Sequence, residues 1–233
     1  MEKTKSFSKI IIDMSRKHGL HKTFSDFLTL TICAFSLGRM EDLYMETINK
    51  YEKPDAYRFS EALSALIIEM MGDGFGLVDI LGEFYEQNLS HGHNGQFFTP
   101  QPICDLMARM INPTTDGKRI ADPACGSGRL LMAMAKVNRL GYFYGADVDV
   151  TCAKMTVINL CLNGMFGEVA WMDSLTNHFY MAWEIFPTIK GCPCIKPIPK
   201  ELSYIHLKLP ENKTPLPNTN IQSNPAKQLI FEF

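Results

Sequence analysis

The chain has 233 residues with a hydrophobic fraction of 46%, enough to fill the core of one full-sized domain and a smaller one. Its 23 Lys and Arg nearly cancel its 25 Asp and Glu, so no global field draws it to nucleic acid, and any such binding must come from a local patch or a partner. Seven scattered cysteines, an odd number without framework spacing, exclude a disulfide-stapled scaffold and point to a reducing cytoplasm.

The first ninety residues read as helices. Apolar positions recur at three- and four-residue spacing in Phe7, Ile10, Ile11 and Met14, and again in Phe27, Leu28, Leu30, Ile32 and Phe35. Further helical runs cover Met40 to Lys50, Tyr57 to Met71 and Leu77 to Asn88, with Gly38, Pro54 and Gly72-Asp-Gly74 as breaks. The most apolar early stretch, Phe27 to Leu37, is too short to span a bilayer, and no signal peptide opens the chain.

From Ile103 the pattern alternates: a helix (Ile103 to Met110), a strand (Arg119-Ile-Ala), a helix (Ser127 to Asn138), a strand (Tyr142 to Ala146), a helix (Val150 to Asn163) and a strand (Glu168 to Trp171). Short strands between longer helices imply βαβ units and a parallel sheet. After Trp183 the regularity fades, and beyond Lys208 the chain is rich in Pro, Asn, Lys and Thr. The organisation expected is a helical N-terminal domain over 1–90, an α/β domain over 91–185 and an irregular C-terminal segment over 186–233.

Asp122-Pro-Ala-Cys-Gly-Ser-Gly128 carries the strongest chemical signal, because it follows a predicted strand and precedes a predicted helix. Glycines there permit a tight turn and a close approach of a ligand to the backbone, and the helix N-terminus presents free N–H groups. Such a loop suits a nucleotide cofactor, NAD included, and can also merely close a turn. Asp147 ends the next strand, near the roughly 20-residue spacing at which an acidic side chain meets a cofactor ribose. Asp149 competes for that role and is the better helix cap for the run starting at Val150. Asp173, beyond the following strand, is placed either to accept from a cofactor adenine or to cap a turn. Cys192-Pro-Cys194 lacks a second pair or a histidine cluster, so no metal site is expected.

Together, Gly95-Gln-Phe-Phe-Thr-Pro100, Asp122-Pro-Ala-Cys-Gly-Ser-Gly128, Gly145-Ala-Asp-Val-Asp149 and Met172-Asp-Ser-Leu175 resemble the adenine-specific DNA methylases of type I restriction-modification systems. The resemblance implies a Rossmann-like, S-adenosylmethionine-dependent methyltransferase fold, with an incomplete sheet, behind a helical N-terminal domain. It implies that Phe97, Thr99 and Pro100 close over the methionine end of S-adenosylmethionine, that Asp122, Ala124, Gly126 and Gly128 cradle it, and that Asp147 holds the ribose and Asp173 the adenine. It also implies a DNA substrate, reached through other subunits, with specificity and restriction subunits as partners and no membrane association.

The family's catalytic segment, Asn-Pro-Pro followed by an aromatic, should follow a further strand beyond Asp173. That window reads Glu184-Ile-Phe-Pro-Thr-Ile-Lys-Gly-Cys-Pro-Cys-Ile-Lys-Pro197 and lacks it, so no catalytic residue is assigned. Asn112-Pro113 and Asn224-Pro-Ala226 read as turns. Two functions follow: an adenine-specific DNA methyltransferase, or a non-catalytic relic that binds S-adenosylmethionine or partner proteins. An NAD-dependent oxidoreductase would need an acid–base pair and a substrate domain that the sequence does not offer.

Overall fold

The computed structural model describes residues 6–72, 76–90, 98–111 and 119–208. Ser6 caps α1 (Phe7–His18) by accepting the Lys9 N–H, and the apolar stripe Phe7, Ile10, Ile11 and Met14 is fully buried. It packs against α2 (Leu20–Ala34), which is followed by α3 (Glu41–Ile48), α4 (Lys53–Met70) and α5 (Ile80–Asn88). Pro54, expected as a break, instead occupies the first turn of α4, where a missing N–H costs no helical hydrogen bond. The Phe7 ring meets Phe27 at 5.1 Å and Phe84 at 5.4 Å, so α1, α2 and α5 close on one aromatic knot.

Next come α6 (Gln101–Ile111), β1 (Arg119–Asp122), α7 (Arg129–Val137), β2 (Tyr142–Asp147), α8 (Val150–Leu162) and β3 (Gly167–Asp173). The three strands are parallel and adjacent, in the order β1-β2-β3, as alternating strands and helices dictate. Helix α8 lies over β2 to β5, α7 over β1 and β2, and α6 against α7. Buried apolar side chains of the helices and of this sheet face form one continuous cluster.

Beyond β3 the chain doubles back as β4 (His178–Pro187) and then β5 (Pro193–Ile198), both antiparallel. The irregularity expected from 186 therefore does not hold over Pro193–Ile198. Prolines at 193 and 197 hide the strand from a propensity reading, yet β5 is an edge strand, where proline is tolerated. Pro193, Ile195 and Pro197 alternate along it, and the Ile195 N–H points away from β4 to donate to the Phe35 carbonyl at 2.9 Å. The prolines thus take the positions whose nitrogens need no ladder partner, and Phe35 satisfies the one between them.

A 3-10 turn (Lys200–Leu202) and α9 (Tyr204–Lys208) fold back over the opposite sheet face, where Ile205 covers Ala146, Ala170, Met172 and Ala182. The buried carboxylate of Glu168 anchors this return: it accepts from the Ser203 hydroxyl and, at 2.8 Å, from the Tyr204 N–H. Because Ile195 is fully buried at a strand position, Ile195→Ala should lower the unfolding free energy by about 2–5 kcal/mol in urea titration. A loss below about 0.5 kcal/mol would show that β5 contributes no packed core.

Candidate cofactor site

The loop between β1 and α7 is held from every side. The Cys125 N–H donates to the Ala146 carbonyl at 2.9 Å, the Thr156 hydroxyl donates to the Gly126 carbonyl at 2.8 Å, and Asn159 donates to the Ser127 carbonyl at 2.8 Å. Ser174 donates to the Pro123 carbonyl at 2.7 Å. Gly126 has φ +56°, and a Cβ there would meet the Phe98 ring at 3.0 Å. A side chain at that position would therefore be strained and would press on Phe98.

A buried polar centre fixes the loop to the helical part. Asp79 caps α5 by accepting the Gly82 N–H at 2.9 Å, and the same carboxylate accepts from Asn159 at 2.9 Å, Ser127 at 2.5 Å and Arg129 Nε at 2.9 Å. Arg129 continues to Glu86 at 2.8 Å and to the Thr99 carbonyl at 3.3 Å. Gly82 is required for this convergence, since a Cβ there would lie 2.1 Å from Asp79 Oδ2.

These elements enclose a cavity of about 320 Å³ whose walls include Phe98, Thr99, Asp122, Ala124, Gly126 and Asp147. Asp147 Oδ2 accepts the Gly126 N–H at 2.8 Å and its Oδ1 accepts the Asp149 N–H at 2.9 Å. Each carboxylate oxygen can accept twice, so one acceptor site remains on each for a pair of vicinal hydroxyls. Burial pushes the carboxyl of Asp147 above the ordinary range, against the pull of those two N–H groups. Burial likewise raises Asp122, whose Oδ1 accepts the Ala124 N–H at 3.1 Å. Cys104, Cys125 and Cys152 also line the cavity, and burial holds all three as thiols.

The structure gathers Thr99, Asp122, Ala124, Gly126 and Asp147 of the expected set around one cavity. Gly128 and Pro100 stand behind it: the Gly128 N–H donates to the Cys125 carbonyl, and the Pro100 carbonyl receives the N–H groups that open α6. Asp173 is not in the wall. It accepts from the Leu175 and Thr176 N–H groups, and hydrogen bonds from Thr176 and then Leu175 hold its carboxyl below the ordinary range. Asp149 caps α8 through the Thr151 and Cys152 N–H groups. Phe97 lies outside the described residues. Phe98, its neighbour, forms the aromatic wall, stacked on Tyr85 at 5.8 Å. Cys194, in the window where the catalytic segment was expected, is buried in β5 with its thiol on the Phe35 carbonyl at 3.2 Å, and it is not in the cavity wall.

Residues 77–191 are matched by the family model described as N-6 DNA methylase. Over these residues the chain is similar to the N-6 DNA methylases. The match begins ahead of α5, so Asp79 and Glu86 fall within the methylase segment together with the loop they hold. The methylase subunit of the type I restriction enzyme MjaIX from Methanocaldococcus jannaschii is 32% identical over 108 residues, covering 43% of this chain and 19% of that protein. That of MpnII from Mycoplasma pneumoniae is 33% identical over 104 residues, covering 42% of this chain and 18% of that one. The chain thus spans about a fifth of the length of these curated relatives. A solved methyltransferase subunit of a type I restriction-modification system from Streptococcus thermophilus aligns with a TM-score of 0.35 and 20% identity, over 68% of this chain and 36% of that one.

Within the methylase segment the Asp79 centre is the main structural commitment. Asp79→Ala leaves the buried Arg129 with the half-exposed Glu86 as its only carboxylate partner among the described residues, and should cost about 3–5 kcal/mol in denaturant unfolding. A cost near that of a simple helix cap, about 1 kcal/mol, would show the ion pair to be dispensable.

Proposed function

We propose that this chain is the S-adenosylmethionine-binding part of an adenine-specific DNA methyltransferase of the type I modification-subunit kind. The observation that carries the reading is Asp147, which ends β2 in the cavity wall with one acceptor site left on each oxygen. S-adenosylmethionine, when bound, supplies an electrophilic methyl group. Its sulfonium makes it cationic, and the cavity wall offers the carboxylates of Asp122 and Asp147 while Arg129 is engaged by Asp79 and Glu86. The same features disfavour a dinucleotide: the Gly126 N–H that would greet a pyrophosphate is taken by Asp147, and two carboxylates face the space.

In this reading Asp147 holds the ribose, Phe98 with Thr99 closes one wall, and Asp122 with Ala124 and Gly126 shapes the floor. Phe97, Pro100, Gly128 and Asp173 retain the roles implied by the resemblance as part of the proposal. Methyl transfer to a flipped adenine requires acceptors for its exocyclic amine and an aromatic face. Among the described residues no Asn-Pro-Pro-aromatic segment stands at the cavity, so transfer calls for further polypeptide alongside specificity and restriction subunits. In support, α6 exposes Ile103, Leu106, Met107, Met110 and Ile111 at three- and four-residue spacing, and the outer edge of β1 pairs with no described strand. All seven cysteines are free, and no described helix is long and apolar enough to cross a membrane, which fits a cytoplasmic site of action.

The β4–β5 hairpin, standing where the catalytic segment was expected, favours a second reading as a non-catalytic cofactor-holding relic. Calorimetric titration with S-adenosylmethionine should give saturable 1:1 binding that Asp147→Ala weakens by at least about tenfold, or 1.4 kcal/mol. Asp149→Ala should cost about 1 kcal/mol of helix-cap stability and leave that affinity in place. Unchanged affinity in Asp147→Ala would remove the ribose assignment. A tritium methyl-transfer assay on genomic DNA then separates the readings: transfer that appears when the other subunits are added supports the enzyme, and binding without transfer in their presence supports the relic.

A further inference from the structure

Helix α8 turns two polar side chains to the cofactor loop. Thr156 and Asn159 stand three residues apart, hence on one helix face, and hold the successive carbonyls of Gly126 and Ser127 at 2.8 Å each. Asn159 belongs to the Asp79 centre, whereas Thr156 holds the residue whose N–H is bound by Asp147. Thr156 is fully buried, and a β-branched residue with a hydroxyl is a poor choice for a buried helix turn unless that hydroxyl is hydrogen-bonded. A helical threonine can satisfy itself on the carbonyl one turn back, but this one donates across to the loop. The Cys125 thiol, 3.4 Å from Thr156 Oγ1, is then the donor of that pair and does not draw the hydroxyl hydrogen away. The threonine methyl fills the space left by two glycines, since a Cβ on Gly128 or Gly145 would lie 3.0 or 3.2 Å from Thr156 Cγ2.

Gly126 has no side chain to fix its own torsions, and its φ of +56° is one of several regions that a glycine visits at little cost. Its two hydrogen bonds therefore set its orientation: the N–H on Asp147 Oδ2 at 2.8 Å and the carbonyl on Thr156 Oγ1 at 2.8 Å. Released at the carbonyl, the residue is free to rotate, and the N–H that aligns Asp147 Oδ2 turns with it. We propose that Thr156 is a positioning residue for ribose binding: through Gly126 it aims the Asp147 carboxylate at the two vicinal hydroxyls. Thr156 is not in the cavity wall, so it acts on the ligand through Gly126 and not by contact. A carboxylate fixed before the ligand arrives has less freedom to lose on binding, and the gain in affinity comes from there. The inference rests on the ribose role proposed for Asp147.

Full-length protein is titrated calorimetrically with S-adenosylmethionine, and with adenosine and its dideoxy counterpart, which differs from it in lacking both ribose hydroxyls. Thr156→Val keeps the bulk and removes the hydroxyl. The expected result is about three- to tenfold weaker S-adenosylmethionine binding, the size of one net hydrogen bond. The preference for adenosine over dideoxyadenosine should fall by a similar factor, and Thr156→Ser should restore both to within about twofold. A role in packing alone would lower the thermal melt and leave that preference in place. Thr156→Ala, which removes the same hydroxyl, takes over with the same expected loss where the valine variant does not melt cooperatively. In folded protein, unchanged affinity or unchanged preference on loss of the hydroxyl, or no recovery in Thr156→Ser, would overturn the proposal. Asp147→Ala separates the two readings. A preference lost there but kept in Thr156→Val overturns this inference alone, and a preference kept in both removes the ribose assignment with it.

Discussion

Asp79 and Arg129 meet at 2.9 Å with almost no access to water, and the placement of the cofactor loop depends on that contact. An isolated charge at either position would be costly, so each fixes the other, and the remaining acceptor capacity of Asp79 is filled by Gly82, Ser127 and Asn159. Four elements are thereby tied at one carboxylate: the start of α5, the loop, the start of α7 and the middle of α8. A pair of this kind adds specificity more than stability, because a loosely packed apolar substitute would not tell the loop where to stop. The cavity is consequently formed before any ligand arrives.

The same centre gives the N-terminal helices a role beyond bulk. Their aromatic knot of Phe7, Phe27 and Phe84 sits on α5, and α5 delivers both Asp79 and Glu86 to Arg129. At the far side of the sheet, Phe35 at the end of α2 closes the edge of β5. The helical part thus grips the α/β part at two separate places, which agrees with their single continuous core.

Much of this was legible in the sequence, and the rest was hidden for identifiable reasons. The alternation of β1 to β3 with α7 and α8 follows from apolar periodicity, and Asp122 to Gly128 with Asp147 follows from the geometry of a strand–loop–helix turn. Asp149 as the cap of α8 was readable from its position alone. Strand β5 was not, because three prolines lie at or beside it and only its place at the sheet edge makes them harmless. Beyond its local cap on Gly82, the role of Asp79 was invisible because its other partners lie 48 to 80 residues away, and no local pattern encodes that distance. Phe98 stood inside the Gly95-Gln-Phe-Phe-Thr-Pro100 stretch, yet that its ring meets Gly126 is decided only by the tertiary fold.

The central claim is that a preformed loop, clamped by Asp79 and Asp147, receives S-adenosylmethionine against the end of β2. Amide hydrogen exchange of the intact chain, with and without S-adenosylmethionine, tests it most directly. The account predicts slow exchange over Cys125 to Arg129 already in the free protein, and added protection on binding confined to that loop and to the segment from Asp147 to Asp149. Fast exchange of the loop in the free protein, or protection appearing only elsewhere, would contradict it.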